Sequence, residues 1–264
     1  MKGNTNKIIW LTGASSGIGE ALAYELSHKG YKLIISARNE KQLILVKEKC
    51  KYPENVAVLP LDLAGFSTVG NSVKNAVSVY GRIDILINNA GISQRSLIMD
   101  TDLEVYEKLI NVNYLGTVAL SKEVLPHFIS NGSGHFVTVT SLMGKFGSPY
   151  RSGYCAAKHA LHGFFDVLRM EHDKDGIDVT LVCPGFVQTK VAINALIGDG
   201  SSQNRNDTAT EQGMPAEIFA RKMILATEQK IYEVYIGGKE IKGIYLKRFF
   251  PKLLHKIVLR SQYR

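Results

Sequence analysis

The stretch Thr12-Gly13-Ala14-Ser15-Ser16-Gly17-Ile18-Gly19 joins an apolar run, Ile8 to Leu11, to an amphipathic stretch that starts at Glu20. This order predicts a strand, a glycine-rich turn and a helix. Glycines allow a tight turn and a close approach of the backbone to a bound group, and the free amides at a helix start favour an anion. The segment therefore predicts a phosphate-binding turn in an α/β fold.

Six further apolar runs alternate with longer amphipathic stretches along the chain. They are Lys32 to Ser36, Val56 to Leu59, Asp84 to Ile87, His135 to Thr140, Val179 to Val182 and Tyr232 to Ile236. Such runs are typical of strands buried on both faces of a parallel sheet, and the stretches between them suit crossover helices. The chain is therefore predicted to be α/β, a single doubly wound Rossmann-type domain with a mostly parallel seven-stranded sheet over residues 1–243. The irregular stretch from Gly198 to Gly213 is expected to be either disordered or a lid.

Composition narrows the class of protein. The 264 residues are 45% hydrophobic, enough to bury a sizeable core, and the longest apolar runs are far shorter than the ~20 residues of a membrane-spanning helix. The polar stretch from Met1 to Lys7 lacks the pattern of a secretory signal, so we expect a cytoplasmic protein. Cys50, Cys155 and Cys183 form no CxxC pair, so neither a disulfide framework nor a metal site is expected.

Most of the net charge of +8 lies in the last 26 residues, so nucleic-acid binding by the main domain is not expected. Residues 244–264 form a basic amphipathic tail, in which Pro251 is predicted to begin a helix. Two interpretations of the tail remain open. It lies on an anionic membrane surface, or it packs over the substrate pocket or a neighbouring subunit with its charges solvated.

Tyr154 and Lys158 are the first candidates for chemistry, because residues four apart on a helix project from the same face. The ammonium group is expected to lower the pKa of the phenol from its usual value of about 10, which makes Tyr154 a usable acid or base. The same spacing recurs at Tyr235 and Lys239, on a strand that runs into a Gly-Gly turn. Those two side chains would not converge, and Tyr235 is predicted to be structural.

Other motifs complete a pattern that covers nearly the whole chain. They are Thr12 to Gly19, Asp62, Asn88-Asn89-Ala90-Gly91, Asn113, Ser141, Tyr154-x3-Lys158, and Pro184-Gly185 followed by Thr189. Through them the chain resembles the short-chain dehydrogenase/reductase family from the first strand to about Ile236. The resemblance implies a catalytic set of Asn113, Ser141, Tyr154 and Lys158, in which Asn113 supports a water that relays protons to the lysine.

The resemblance also implies a nicotinamide dinucleotide and a carbonyl or secondary alcohol as reactants. Ser141 would bind the carbonyl oxygen, Tyr154 would transfer the proton, and Lys158 would stabilise the tyrosinate and hold the ribose; no metal is required. Asp62 would contact the adenine and Thr189 the carboxamide. The full set of implied cofactor contacts is Gly13, Ser15, Ser16, Gly17, Ile18, Gly19, Arg38, Asp62, Leu63, Asn88, Ala90, Gly91, Tyr154, Lys158, Pro184, Gly185, Val187 and Thr189.

Cofactor choice is predicted from the end of the second strand, Ile34 to Asn39. An acid there would bind the ribose 2′-hydroxyl, but none is present, and Arg38 suits a 2′-phosphate. NADP(H) is therefore expected over NAD(H), with Glu40 as a minor counter-argument. An apolar pocket and a hydrophobic small-molecule substrate are expected from Met143, Phe146, Tyr150, Phe186, Val187, Ile193, Leu196 and Ile197.

Two other functions remain as alternatives, together with one prediction about assembly. Gly13 to Gly17 also fits the G-x-S-x-G elbow of serine hydrolases, although an elbow at residue 15 leaves no upstream strand and loop for the oxyanion site. A non-catalytic dinucleotide sensor would keep the fold without the chemistry, which the intact Ser141, Tyr154 and Lys158 disfavour. The small residues of the helix that follows Tyr154 predict a homodimer or homotetramer.

Overall fold

The computed structural model describes residues 6–260, and seven strands of these residues form one sheet. The strands are β1 (Ile8–Thr12), β2 (Lys32–Ser36), β3 (Val56–Val58), β4 (Ile85–Asn88), β5 (Gly134–Val139), β6 (Ile177–Pro184) and β7 (Glu233–Ile236). Their order is β3-β2-β1-β4-β5-β6-β7, and every adjacent pair is parallel. The predicted fold class is confirmed, and the described sheet is entirely rather than mostly parallel.

Helices connect the strands and cover both faces of the sheet. They are α1 (Gly17–His28), α2 (Glu40–Lys49), α3 (Val69–Tyr80), α4 (Leu103–Ile110), α5 (Gly116–Ser130), α6 (Ser152–Glu171), α7 (Thr208–Glu211), α8 (Ala216–Glu228), α9 (Lys242–Phe249) and α10 (Pro251–Arg260). A π-helical turn, Asn111–Leu115, joins α4 to α5. No helix among residues 6–260 is long and apolar enough to span a membrane.

The sheet separates two apolar clusters, because successive strand residues point to opposite faces. Leu11 belongs to the cluster under α1 and α8, where Phe219 is fully buried. Trp10 belongs to the cluster under α3, α5 and α6, and its indole N–H donates a 2.8 Å hydrogen bond to the Ser36 hydroxyl. Both clusters hold the strand ends in place, and these ends carry the site.

The stretch from Gly198 to Gly213 has a defined path, contrary to the disorder alternative. It contains α7, which Asp207 caps by accepting a 2.8 Å hydrogen bond from the Thr210 amide. The segment also borders a cleft at the carboxyl ends of the strands, through Gly200, Ser201 and Ser202. The segment therefore lies where a lid would lie, and that role stays a prediction.

The tail packs against the domain through α9 and α10. Pro251 begins α10 as predicted, whereas α9 begins at Lys242, two residues before the predicted boundary at 243/244. Leu254 is buried with Leu142 and Phe146, and a Cβ at Gly243 would lie 2.8 Å from the Phe146 ring. The inner face of the tail thus follows the packing interpretation. Residues 1–5 of the polar N-terminal stretch and residues 261–264 of the tail lie outside the described residues.

Candidate active site

A cleft of about 950 Å³ opens at the carboxyl ends of the strands, beside β1 and β4, where the strand order reverses. Its volume is within the range of about 300–1,000 Å³ that is typical of small-molecule sites. Most of the predicted site residues line it, namely Gly13, Ser15, Ser16, Gly17, Ile18, Arg38, Asp62, Leu63, Ala90, Gly91, Ser141, Tyr154, Lys158, Pro184, Gly185, Val187 and Thr189. Three predicted residues, Gly19, Asn88 and Asn113, do not.

Glycine is required at two points of the turn after β1. Gly13 has a φ of +67°, and a Cβ there would lie 2.7 Å from the Ala90 Cα atom. At Gly19 a Cβ would lie 2.1 Å from the Gly13 carbonyl oxygen, so this glycine allows α1 to pack on the turn. Gly19 therefore supports the turn from behind and does not face the cleft.

The donor groups of this turn fit an anionic phosphate. Among residues 6–260, no group accepts a hydrogen bond from the backbone amides of Ser15, Ser16, Gly17 or Ile18. Ser16 is the N-cap of α1, and its side chain does not cap the helix. Four amides at the positive end of a helix dipole therefore face the cleft with their hydrogen-bonding capacity free, which is the chemistry of a pyrophosphate site.

Arg38 and Asp62 lie at the same end of the cleft. The Arg38 side chain is exposed at the end of β2, without an ion pair or hydrogen bond in the described part of the chain. Asp62 accepts a 3.0 Å hydrogen bond from the Ala64 amide, which orients its carboxylate after β3. A free guanidinium and an oriented carboxylate are therefore both available to a nucleotide.

Asn88 ends β4, and the cleft is lined by the next residue, Asn89, rather than by the predicted Asn88. Asn88 is buried, and its amide donates to the Ser121 hydroxyl at 3.1 Å. Asn89 lines the cleft and donates to the carbonyl oxygens of Thr12 and Gly13 at 3.0 and 3.2 Å. Asn89 therefore braces the glycine turn, a function that sequence reasoning missed although the residue stands in the same motif.

Ser141, Tyr154 and Lys158 meet in the cleft because β5 ends beside the first turns of α6. The Ser141 hydroxyl lies near enough to the Tyr154 phenol to lower its pKa, and its oxygen accepts a 3.0 Å hydrogen bond from the Met143 amide. The Lys158 ammonium donates a 2.9 Å bond to the Val139 carbonyl and lies 5.9 Å from the centre of the Tyr154 ring. The convergence predicted from the spacing is present.

The pKa of Tyr154 moves in the direction opposite to the prediction. Burial raises the pKa of the phenol and outweighs the hydrogen bond from Ser141 and the nearby charges of Arg95 and Arg151, which lower it. Burial also lowers the pKa of Lys158 to about 8, so the ammonium itself is destabilised by its surroundings. Spacing on a helix predicted the contact but not the cost of desolvating both groups.

The family model for short chain dehydrogenase matches residues 7–197, from β1 to the loop after β6. This range includes the glycine turn together with Ser141, Tyr154 and Lys158. The chain belongs to the short-chain dehydrogenase/reductase family of oxidoreductases.

Curated relatives in this family align over almost the whole chain. The chain is 44% identical over 254 residues to the human protein named dehydrogenase/reductase SDR family member 7. The aligned region covers 94% of this chain and 75% of the human protein. It is 37% identical over 262 residues to the Drosophila melanogaster dehydrogenase/reductase SDR family protein 7-like, covering 96% of this chain and 80% of that protein.

Solved structures share the fold. A short-chain dehydrogenase/reductase from Burkholderia phymatum, in complex with NAD, superposes with a TM-score of 0.83 over 98% of this chain and 96% of its own, at 20% identity. A short-chain dehydrogenase from Streptomyces avermitilis superposes with a TM-score of 0.81 over 98% and 99% of the two chains, at 26% identity.

Asn113 of this short-chain dehydrogenase/reductase lies in the π-helical turn, a distortion that often marks functional sites. Its amide bonds to both backbone groups of Ile92, accepting at 2.8 Å and donating at 2.9 Å. A Cβ at Gly91 would lie 2.9 Å from the Asn113 Oδ1 atom and 3.5 Å from the Lys158 ammonium. The side chain therefore positions the loop beside Lys158, and the proton-relay role stays a prediction.

The substrate end of the cleft has an apolar wall and a charged wall. Of the expected apolar residues, Met143, Phe186, Val187 and Leu196 line the cleft, whereas Phe146, Tyr150, Ile193 and Ile197 do not. Phe146 instead packs under the tail. The charged wall contains Arg95 and Arg151, which sequence reasoning missed because their partner Asp207 is more than fifty residues away from either along the chain.

His162, Cys183 and Glu233 form a cluster of potential metal ligands outside this cleft. Glu233 already accepts hydrogen bonds from Lys145 and Tyr235, as expected if Tyr235 is structural. Burial raises the pKa of the Cys183 thiol to about 12, which disfavours a thiolate ligand. The cluster is therefore a partly buried polar contact in which Glu233 of β7 pairs with Lys145 and lies 3.4 Å from His162 of α6.

Proposed function

We propose that the protein is an NADP(H)-dependent oxidoreductase that transfers a hydride between the nicotinamide and a carbonyl compound or secondary alcohol. One observation carries the proposal. Ser141 and Tyr154 share a cleft with Lys158 and with the four free amides of the glycine turn. Proton chemistry and phosphate binding are thus available in one continuous site.

When bound, the nicotinamide supplies or accepts the hydride, and the residues of the chain do the rest. In the reducing direction the Ser141 hydroxyl donates a hydrogen bond to the carbonyl oxygen and fixes its position. Tyr154 then transfers its proton to that oxygen. The nearby positive charge of Lys158 opposes the cost of leaving a tyrosinate in a buried site, so the lysine acts on Tyr154 and on the ribose rather than on the carbonyl.

The preference for NADP(H) rests on Arg38. An unpaired guanidinium at the end of β2 offers two parallel N–H donors to a 2′-phosphate, and the segment has no acid to bind a free 2′-hydroxyl. The apolar wall formed by Met143, Phe186, Val187 and Leu196 supports a substrate with a hydrophobic body.

Two features of the surface support proposals about assembly and location. The outer face of α6 exposes Gly163, Val167 and Met170, so a second copy can approach closely, and we propose a homodimer or homotetramer. The proposed location is the cytoplasm, as expected from the sequence. The outer face of the tail, with Phe249 and Phe250 exposed beside cations, supports peripheral contact with an anionic membrane.

The alternatives have less support. A serine hydrolase needs a histidine beside its nucleophile, and none of the described residues that line the cleft is a histidine. A non-catalytic sensor would not need Ser141, Tyr154 and Lys158 together.

The test is oxidation of NADPH and NADH by the purified protein with a panel of ketones and aldehydes. We expect turnover with NADPH, a lower kcat/KM with NADH, and a loss of about a thousandfold in kcat for Tyr154→Phe, because the ring is kept but the proton is removed. NADPH binding to this variant, measured by fluorescence, should change little. Turnover by Tyr154→Phe within a few fold of the parent protein would refute the mechanism.

A further inference from the structure

The cleft is strongly positive. Six cationic side chains among the described residues line it, namely Arg38, Arg95, Lys108, Arg151, Lys158 and Lys190, against two carboxylates, Asp62 and Glu240. Arg38 and Asp62 lie at the nucleotide end. The charges of Arg95 and Arg151 both lower the pKa of Tyr154, which indicates that these two side chains lie near the reacting groups.

The Arg95 guanidinium already forms four hydrogen bonds within the protein. Its guanidinium donates two hydrogen bonds to Asp207, at 3.1 and 2.8 Å, and two more to the Ser93 hydroxyl and the Gln94 carbonyl. Asp207 is 2% exposed and also caps α7. This pair therefore ties the segment around α7 to the loop after β4. The positive charge of Arg95 neutralises the negative charge of the Asp207 carboxylate.

Within the described residues, the positive charge of Arg151 is not balanced by a carboxylate of its own. It is 5% exposed, and its contacts with Asp207, Ser148 and Pro149 are all 3.4 Å long. Its Nε group has no hydrogen-bond partner among residues 6–260. Burial and the charge of Arg95 together lower the pKa of Arg151 to about 10. Buried charges are normally paired, and this one shares a carboxylate that Arg95 already neutralises.

We propose that Arg151 binds an anionic group of the substrate, a carboxylate or an equivalent oxyanion, which completes the charge balance of this wall. The inference rests on the proposed function and narrows its substrate class to carbonyl compounds that carry a negative charge. Arg151 is the N-cap of α6, three residues before Tyr154, and both residues line the cleft, so an anionic group held by Arg151 shares the cleft with the reacting carbonyl. Reduction adds a hydride to the carbonyl carbon and the Tyr154 proton to its oxygen, and the anionic group is unchanged.

The proposed site adds a charged end to the hydrophobic substrate that the sequence predicts. The apolar wall binds the body of the molecule, and Arg151 fixes one end. The nucleotide phosphates are a separate source of negative charge, but the amides of Ser15 to Ile18 and the Arg38 guanidinium are available to them at the other end of the cleft.

The test compares oxo acids with their methyl esters, using phenylglyoxylate, levulinate and para-acetylbenzoate. We expect at least one acid to exceed its ester about tenfold or more in kcat/KM. Arg151→Met should reduce that ratio by about 10- to 100-fold, because a hydrogen bond to a charged group contributes about 1.5–3 kcal/mol. Arg151→Lys should restore part of the ratio, since it keeps the charge but not the planar fork.

Lys108→Met is the matched control, because Lys108 is an exposed cation that lines the same cleft. Solvent screens an exposed charge, so this variant should change the ratio less than about twofold. Equal effects of Lys108→Met and Arg151→Met would show a diffuse field instead of a binding site and would overturn the proposal. So would an Arg151→Met variant that slows acid and ester to the same extent.

A binding measurement separates this inference from the proposed function. Calorimetry with the NADP⁺-loaded protein should show that benzoate binds more tightly than benzamide, and that Arg151→Met weakens benzoate alone. If no carbonyl compound is reduced but benzoate binds through Arg151, the proposed function fails and the anion site stands. If carbonyl compounds are reduced and benzoate shows no preference over benzamide, the anion site fails and the proposed function stands.

Discussion

Lys158→Met should abolish activity and, at the same time, stabilise the free protein. Lys158 is 4% exposed, and it makes no ion pair within the described residues. Burial lowers its pKa from an ordinary 10.5 to about 8, a difference that corresponds to about 3 kcal/mol of unfavourable free energy when the ammonium is charged. Methionine has a similar length and no charge, so it removes this cost.

The loss of one hydrogen bond offsets part of the expected gain in the free energy of unfolding. The Lys158 ammonium donates a 2.9 Å hydrogen bond to the Val139 carbonyl, and its loss leaves a buried acceptor unpaired, at a cost of about 1 kcal/mol. The net expectation at pH 7 is a free energy of unfolding about 2 kcal/mol higher for the variant. For a chain of this size, that raises the Tm by about 5 °C.

The pH dependence has a defined sign. The folded pKa of Lys158 lies below its unfolded value, so between pH 8 and pH 10.5 the unfolded state binds more protons, and the parent protein gains stability as the pH rises. The advantage of Lys158→Met should therefore be constant below pH 8 and shrink across this window.

Urea unfolding at several values between pH 7 and pH 10 measures the effect on the nucleotide-free protein. Lys230→Met is the control, because Lys230 forms an exposed 2.6 Å ion pair with Asp178 and should change stability by less than about 1 kcal/mol. A Lys158→Met variant that is less stable than the parent, or an advantage that grows between pH 8 and pH 10, would refute the reasoning.

Three further predictions concern the cofactor, the assembly and the tail. Arg38→Ala combined with Ala37→Asp should raise the Kd for NADPH about tenfold or more and lower that for NADH, as measured by fluorescence titration; a parent protein that already prefers NADH would contradict the assignment. Light scattering at micromolar concentration should show a dimer or tetramer that Val167→Asp dissociates, whereas a parent protein that is monomeric would refute the interface. Full-length protein should co-sediment with anionic vesicles at low salt, and Lys252→Glu with Lys256→Glu should abolish this without loss of NADPH-dependent turnover; a parent protein that stays in the supernatant would exclude membrane contact.

The sequence predicted the parts of the fold that depend on local pattern. The apolar runs gave all seven strands, because a strand buried on both faces needs a continuous apolar run. The ends of the strands were predicted less accurately. Strand β6 extends two residues beyond the predicted run at each end, where Ile177 and Pro184 complete its pairing with the neighbouring strands. Pro251 was placed correctly at the start of α10 because its missing amide restricts it to the first turn of a helix.

Long-range contacts account for what local pattern missed. Whether Asn88 or Asn89 faces the cleft depends on where β4 ends, since consecutive side chains point in opposite directions. The Arg95 contact with Asp207 joins residues 112 positions apart and depends on the path of an irregular segment. No spacing rule identifies such a pair, so the charged wall of the cleft became visible only in three dimensions.

Two buried positive charges, Lys158 and Arg151, lie near the reacting groups of this site. Lys158 and Arg151 are almost fully buried, burial lowers the pKa of each, and the only carboxylate beside either of them in the described chain is the Asp207 that Arg95 already neutralises. A free protein that keeps two such cations is less stable than its packing would allow. The proposed anionic substrate carries the charge opposite to that of Arg151, whereas the phosphates of the dinucleotide are assigned to the free amides of the glycine turn and to Arg38. Part of the binding free energy of this substrate therefore comes from relieving a cost that the folded protein already bears at Arg151, so the stability of the free protein and its affinity for the substrate depend on the same residue.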